Sequence, residues 1–450
     1  MISPDVLVIG AGIAGLRTAV AVAARGARVT VLEARPVLGG RATAFDDPRT
    51  GERVDNGQHV LLGCYEDTFA FLRQIGSEER VRVQPNLEVD FVDGGGIRSR
   101  LRLSSMPTPM NFVSGLLDWS ALGWRDRIAA SRLIGPIRLA QSEQTARKQG
   151  QSPTRIAASP GETVQEWLIN NGQTSRIREM LWEPLALAAL NQSTHEAAAP
   201  PFVTVLARAF GGEARNAALA LPSCPLDELY AEPARRYVED RGGEVRIGSA
   251  ARIHISSGRV AHVEARGERW SAASVVCAVP WYSLPGMFVG DLAPLEALLA
   301  SAAATDALPI VSVNLWLDRR LISGRFLGLP GRTLQWVFDK SQVFSGTSHL
   351  TLVSSGARSV LALENDELIA LALRDLREAL PDARSAKVLR ASVVREKKAT
   401  FSLAPGQPAR PGTRTDVDGL CLAGDWIDTG LPATIESAAL SGRRAAEAIS

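Results

Sequence analysis

Asp5-Val-Leu-Val-Ile-Gly10-Ala-Gly12-Ile13-Ala14-Gly15 decides the reading of this chain. An apolar strand runs into a glycine-rich turn, and the turn opens a helix. Gly10 permits the tight turn, Gly12 lets backbone amides approach a pyrophosphate, and Gly15 lets helix and sheet pack closely. The positive end of the helix then faces the phosphates. A second strand, Arg28-Val-Thr-Val-Leu, ends at Glu33, whose carboxylate can accept both hydroxyls of an adenosine ribose. A lone GxGxxG says little. Strand, turn, helix, strand and acid in this order predict an adenine-dinucleotide site in an α/β domain.

Behind Glu33 follows Ala34-Arg35-Pro-Val-Leu-Gly39-Gly40-Arg41, a second glycine pair. Simple NAD-binding domains do not need it; a flavin nucleotide uses such a loop against the far side of its pyrophosphate and ribityl chain. Val54-Asp-Asn-Gly57-Gln58-His59 predicts a bend leading into an apolar segment. Near the C-terminus, Leu420-Cys-Leu-Ala-Gly424-Asp425 reads as a buried strand ending in Gly-Asp. Asp425 suits a ribityl hydroxyl. Pro432 is placed in the first turn of a terminal helix. The amides of Ala433, Thr434 and Ile435 would then face the negative charge that a reduced flavin develops.

Length and composition set the limits. At 450 residues the chain exceeds one ordinary core, and two domains are expected. Hydrophobic content of 46% with 22% charge suits a globular protein. A net charge of +2 with no basic block interleaved with aromatics excludes a nucleic-acid footprint. The four cysteines, Cys64, Cys224, Cys277 and Cys421, form no CxxC and read as small apolar residues. The first strand starts almost at once, so no signal peptide is expected, and no apolar run reaches the roughly 18 residues of a membrane span. The expected location is cytoplasmic, with surface attachment to the inner face of the cell membrane as the variant.

Between the nucleotide signals the pattern changes. Strands are expected from about residue 87, with a hairpin at Asp93-Gly-Gly-Gly96. Residues 106–139 read as apolar helices carrying Trp119 and Trp124, either as core or as a membrane-facing mouth. Residues 143–162 read as an exposed connection. A helical run follows with Trp167, Trp182 and Glu183-Pro-Leu-Ala-Leu-Ala-Ala-Leu-Asn191, where Glu183 is either a first-turn acid or a pocket acid. The predicted division puts residues 1–86, 221–289 and 391–450 in the cofactor domain. Residues 87–220 and 290–390 fall in a substrate domain of mixed sheet and helices.

Together Gly10–Gly15, Glu33, Gly39-Gly40-Arg41 and Ala423-Gly424-Asp425 through Gly430-Leu-Pro-Ala-Thr434-Ile-Glu436-Ser-Ala-Ala-Leu-Ser-Gly442 resemble the FAD-dependent amine oxidase and phytoene desaturase superfamily. Within it, Asp55-Asn-Gly-Gln-His59, Glu183-Pro-Leu, Leu190-Asn191 and Lys398-Ala-Thr-Phe401 resemble the hydroxysqualene dehydroxylases, or squalene-associated FAD-dependent desaturases. The resemblance implies a Rossmann-like FAD-binding domain of the GR2 type with an inserted substrate domain. It also implies that Ala251, Ala278 and Pro280 join the FAD contacts. The implied substrate is a long apolar isoprenoid whose allylic hydroxyl is removed reductively, giving squalene for the hopanoid pathway. A pocket of aliphatics and tryptophans from 106–140, 167–190 and 310–340 would shield the cation, and Glu183 or His59 would supply the proton. Implied partners are upstream prenyl synthases, and an electron donor of unknown kind, since no second glycine fingerprint marks an NAD(P)H site. Rival readings are a carotenoid or phytoene desaturase and a non-enzymatic prenyl-lipid carrier of the GDP-dissociation-inhibitor type. Arg41 and Gly424-Asp425 speak against the carrier.

Overall fold

The computed structural model describes residues 3–344 and 348–449. Its centre is a five-stranded parallel sheet in the order Glu244–Arg246, Val29–Leu32, Val6–Ile9, Ser274–Cys277, Leu420–Leu422. Val6–Ile9 and Val29–Leu32 are buried at every position. Val6–Ile9 accordingly reads as a continuous apolar run, as strands covered on both faces do, and Val29–Leu32 departs from it only at the small, buried Thr30. Three stretches hundreds of residues apart thus lie side by side, and their C-terminal ends open on one edge.

Helix Ile13–Ala23 covers one face and is itself almost wholly buried. The C-terminal helix Ile435–Ala448 packs on it, and Thr18 Oγ1 donates to the Gly442 carbonyl at 3.0 Å. A smaller sheet, Glu268–Trp270, Arg259–Ala265, Ala251–Ser256 and Phe288–Gly290, flanks this layer.

A seven-stranded sheet runs in the order Val388–Phe401, Ala307–Leu317, Ser348–Ser354, Trp336–Asp339, Phe326–Gly328, Glu88–Val92, Arg98–Arg102. The hairpin at 93–96 forms as its glycines demand, with the Asp93 carboxylate accepting the amides of Gly95 and Ile97. Strand Val388–Phe401 pairs along Ala307–Leu317 to its last residue. By sheet membership the chain therefore leaves this sheet after Phe401, not at 391. Helix Asn365–Ala379 seals it with Leu368, Ala372 and Leu376.

The helices between residues 110 and 210 build the remaining core. Trp119 is fully buried and packs on Phe91 at 5.4 Å between ring centroids, whereas Trp124 is 67% exposed. The apolar stretch 106–139 is thus core on one side and bare on the other. Residues 143–148, expected as connection, continue helix Ile134–Lys148, because its Gln, Glu and Arg residues suit a solvated helix face. Trp167 and Trp182 do not stand free as pocket walls. Both pack edge-on against Phe202, and their indole N–H groups donate to the Ala157 carbonyl and to Gln173.

Candidate functional site

The first turn is built as its glycines require. Gly10 has φ +105°, and a Cβ there would meet the Ala278 carbonyl oxygen at 2.7 Å. A Cβ on Gly15 would fall 1.9 Å from the Gly10 oxygen. Gly12 is the N-cap of helix Ile13–Ala23, with no side-chain cap and no acid in the first turn, so the helix dipole is left for an anion. Glu33, buried where its strand ends, accepts the Ala11 amide at 2.7 Å and the Arg35 amide at 2.9 Å. Its carboxylate is thereby fixed at the lip of the turn.

The second glycine pair lies against the first motif. The Gly39 amide donates to the Ala11 carbonyl at 2.9 Å, and a Cβ on Gly40 would sit 3.1 Å from the Gly12 Cα. Arg35 closes the loop by donating to the Gly40 carbonyl. Buried Tyr230, which the motifs did not point to, donates to the carbonyls of Gly39 and Ala42. Burial raises its phenol far above the usual range, so it stays a neutral donor.

Opposite ends of the chain meet at Arg41. Its guanidinium donates to Asp425 Oδ1 at 2.5 Å and to the Ala399 carbonyl at 2.7 Å, and lies over the Trp281 ring at 5.7 Å. Burial alone would lower its pKa. The Asp425 charge and hydrogen bond outweigh that and raise it, which keeps the ion pair intact. The Gly424 amide donates to Ser441 Oγ, Ser437 Oγ donates to the Asp425 carbonyl, and the Trp426 indole donates to the Val279 carbonyl. The Gly-Asp corner is therefore tied to the terminal helix and to the Ala278–Pro280 turn. Ala251 opens its strand two residues after Ser249, whose amide donates to the Glu33 carbonyl at 2.7 Å.

Pro432 is not in the first helical turn. Thr434 is extended (φ −130°, ψ 162°) and is the N-cap, accepting the Ser437 amide through its hydroxyl, so the helix starts at Ile435. Pro432 and Ala433 precede it as a lead-in.

Asn56 donates to the Arg41 carbonyl and to Glu396, which brings the 56–59 bend onto the same loop. Gln58 Oε1 and His59 Nδ1 are buried with no hydrogen-bond partner. Burial, reinforced by Lys340 and Arg41 and opposed by Asp55, lowers His59 to about 4, so its ring is neutral near pH 7. Asp55 and Lys340, both buried, pair at 2.6 Å. Lys340 was not legible as a site residue, and its only signal is that lysine is scarce in an arginine-rich chain.

Glu183 lies elsewhere in the hydrogen-bond network. Its Oε2 accepts the Thr194 amide at 2.9 Å and the Thr194 hydroxyl at 2.5 Å. It pins the chain beyond its own helix, a structural task. Asn191, left-handed at φ 54°, closes that helix and donates to Thr400 Oγ1 at 3.0 Å. The Leu190-Asn191 and Lys398–Phe401 motifs therefore touch.

A carboxylate held by backbone amides at the lip of the turn, a helix N-terminus with no side-chain cap and the unpartnered Gln58 Oε1 beside the Arg41 loop fit an adenine dinucleotide with a polar ring system. A family profile described as "Flavin containing amine oxidoreductase" matches residues 13–450. The chain belongs to the flavin-containing amine oxidoreductase family. It is an FAD-dependent oxidoreductase. Within the family it is similar to the hydroxysqualene dehydroxylase of Rhodopseudomonas palustris, 30% identical over 99% of this chain and 98% of that one. It is also similar to the 15-cis-phytoene desaturase of Solanum lycopersicum, 24% identical over 99% of this chain but 77% of that one. An oxidoreductase from Methanosarcina mazei shares the fold at 19% identity, TM-score 0.73, covering 99% of this chain and 100% of that one.

Proposed function

We propose that this flavoenzyme removes the hydroxyl of hydroxysqualene reductively to give squalene. The end-to-end match to the Rhodopseudomonas palustris dehydroxylase carries the reading. The desaturase match is lower in identity and leaves nearly a quarter of the desaturase uncovered, which favours dehydroxylation over desaturation.

Fully reduced FAD, when bound, would supply a hydride to the allylic carbon and the balancing proton with which the departing hydroxyl leaves as water. The chain's own residues do the rest. Helix Ile13–Ala23 and Glu33 hold the nucleotide, and the Arg41–Asp425 pair fixes the junction between the two ends of the chain that grip it. His59 is the residue we assign to the departing hydroxyl. Held neutral, its imidazole can hydrogen-bond that oxygen without placing a standing charge beside the cation. The buried Asp55–Lys340 pair supports its electrostatic setting.

Delivery of the substrate is assigned to the bare side of helices Met110–Asp118 and Trp124–Ser131, where Met110, Leu117, Trp124 and Ile128 are exposed. Among the described residues no helix is long and apolar enough to cross a membrane. An in-plane contact through these side chains and Arg125 fits that geometry.

The test is anaerobic incubation of the pre-reduced protein with hydroxysqualene, following flavin reoxidation and squalene together. Stoichiometric squalene is expected. Oxidation of a polyprenyl substrate by the oxidised protein, with no squalene from the reduced one, would replace this reading with the desaturase.

A further inference from the structure

On the outer face of the small sheet two histidines stand directly opposite each other, His254 on Ala251–Ser256 and His262 on Arg259–Ala265. Their rings stack at 4.2 Å between centroids with 12° between planes. Glu264, two residues beyond His262, shares that face by strand alternation, and its Oε2 lies 3.3 Å from His254 Nε2. One ligand atom from each of the three lies within 4.8 Å of the others. The Nε2 atoms of both rings are covered and have no hydrogen-bond partner. The opposite face of the two strands, Ile253, Ile255, Val263 and Ala265, is buried core, so the three polar groups have no other direction to turn.

We propose that His254, His262 and Glu264 bind one divalent transition-metal ion of the zinc type, with a coordination position open to solvent, and that the ion clamps this hairpin. Two imidazoles and a carboxylate form a borderline donor set, which selects zinc, cobalt, nickel or copper over calcium and magnesium. Ligand atoms about 2.0–2.1 Å from a tetrahedral ion stand about 3.3 Å apart. The His254–Glu264 pair already has that spacing, and the His262 ring closes the remainder by rotating about its side-chain bonds.

Arg252 and Arg269 stand opposite Glu264 on the two adjoining strands and oppose a cation, which sets a modest affinity. Val289, opposite His254 on the third strand, adds no charge. The competing arrangement is a stacked histidine pair with Glu264 accepting a proton from His254, and it needs no ion.

The clamp would act on a strand that leaves the adenosine edge of the cofactor site, since Ser249 is bound to the Glu33 carbonyl. The experiment uses the FAD-loaded, tag-free full chain, stripped with chelator and titrated with Zn²⁺ or Co²⁺, reading bound metal, the Co²⁺ absorption spectrum and Tm. Expected are one ion per chain, a tetrahedral-type cobalt spectrum and a raised Tm. His262→Gln should bind at least about tenfold more weakly, while His195→Gln, an exposed histidine elsewhere, should match the unaltered chain. FAD content should be equal in all three. Equal affinity in His262→Gln, or no bound ion, would overturn the proposal. Neither outcome bears on the dehydroxylase reading, because no turnover is measured.

Discussion

Thr194 takes up one oxygen of the Glu183 carboxylate, Oε2, through its amide and its hydroxyl, and this favours a structural role for the group. Glu183→Gln keeps an acceptor but loses charge assistance. It should therefore cost about 1 kcal/mol in denaturant unfolding and leave squalene formation near that of the unaltered chain. His59 stands in contrast, since no protein group takes up its Nδ1. His59→Ala should retain FAD and its flavin absorbance and lose about a hundredfold in kcat. Glu436, 1% exposed, takes the Thr68 amide and hydroxyl and Arg208 at 2.8–3.1 Å, joining the terminal helix to helix Glu66–Gln74 and to Ala199–Phe210. Burial pushes its carboxyl up, and Arg208 and Thr68 pull it back. Glu436→Ala leaves Arg208 without its charge partner, with only the Cys64 carbonyl remaining, and should cost about 3 kcal/mol, read as a lowered denaturant midpoint.

Elements differ in how much of their meaning a sequence exposes. The strand, turn and helix at residues 6–23 were legible because backbone sterics select glycine at positions 10 and 15, where a Cβ would run into backbone oxygens. Gly15→Ala drives its Cβ into the Gly10 carbonyl, backbone against backbone, with no rotamer to relieve it. The variant should purify without FAD, seen as loss of flavin absorbance, even where circular dichroism shows it folded. The Gly424-Asp425 corner was legible for a similar local reason. The start of the terminal helix was not, because proline tolerates several lead-in positions and only the extended Thr434 backbone fixes the cap. Trp119 and Trp124 have the same side chain five residues apart, one in the core and one bare. Apolar character shows that such a stretch packs against something, but not which side the protein covers. Lys340 and Tyr230 lay further out of reach, since each takes its role from groups 285 or 188 to 191 residues away.

At the scale of the whole molecule, the seven-stranded sheet and the cofactor loops are joined through buried charge that makes the protein sensitive to acid. His349, 2% exposed, stacks on Trp316 at 4.4 Å and its Nε2 lies 3.0 Å from Asn314 Oδ1. Burial, then the nearby Lys340 charge, lowers it to about 3. His59 on the cofactor side is lowered to about 4 with Lys340 among the causes, so one lysine acts on both. A histidine lowered by folding is held neutral in the native chain. As pH falls below about 6.5 the unfolded chain takes up a proton that the native chain refuses, and stability drains away until the folded value is reached, near 4 for His59 and near 3 for His349. Each group contributes a slope of up to about 1.4 kcal/mol per pH unit in that window. Unfolding free energy measured by denaturant at pH 7, 6 and 5 should therefore fall with pH. His349→Gln, which keeps a donor for Asn314 but cannot titrate, should start less stable at pH 7 and lose less on going to pH 5. Parallel pH curves for the two proteins would show that His349 is not held neutral by the fold. Carboxylates that titrate in the same range affect both proteins alike, so the difference between the curves isolates the histidine.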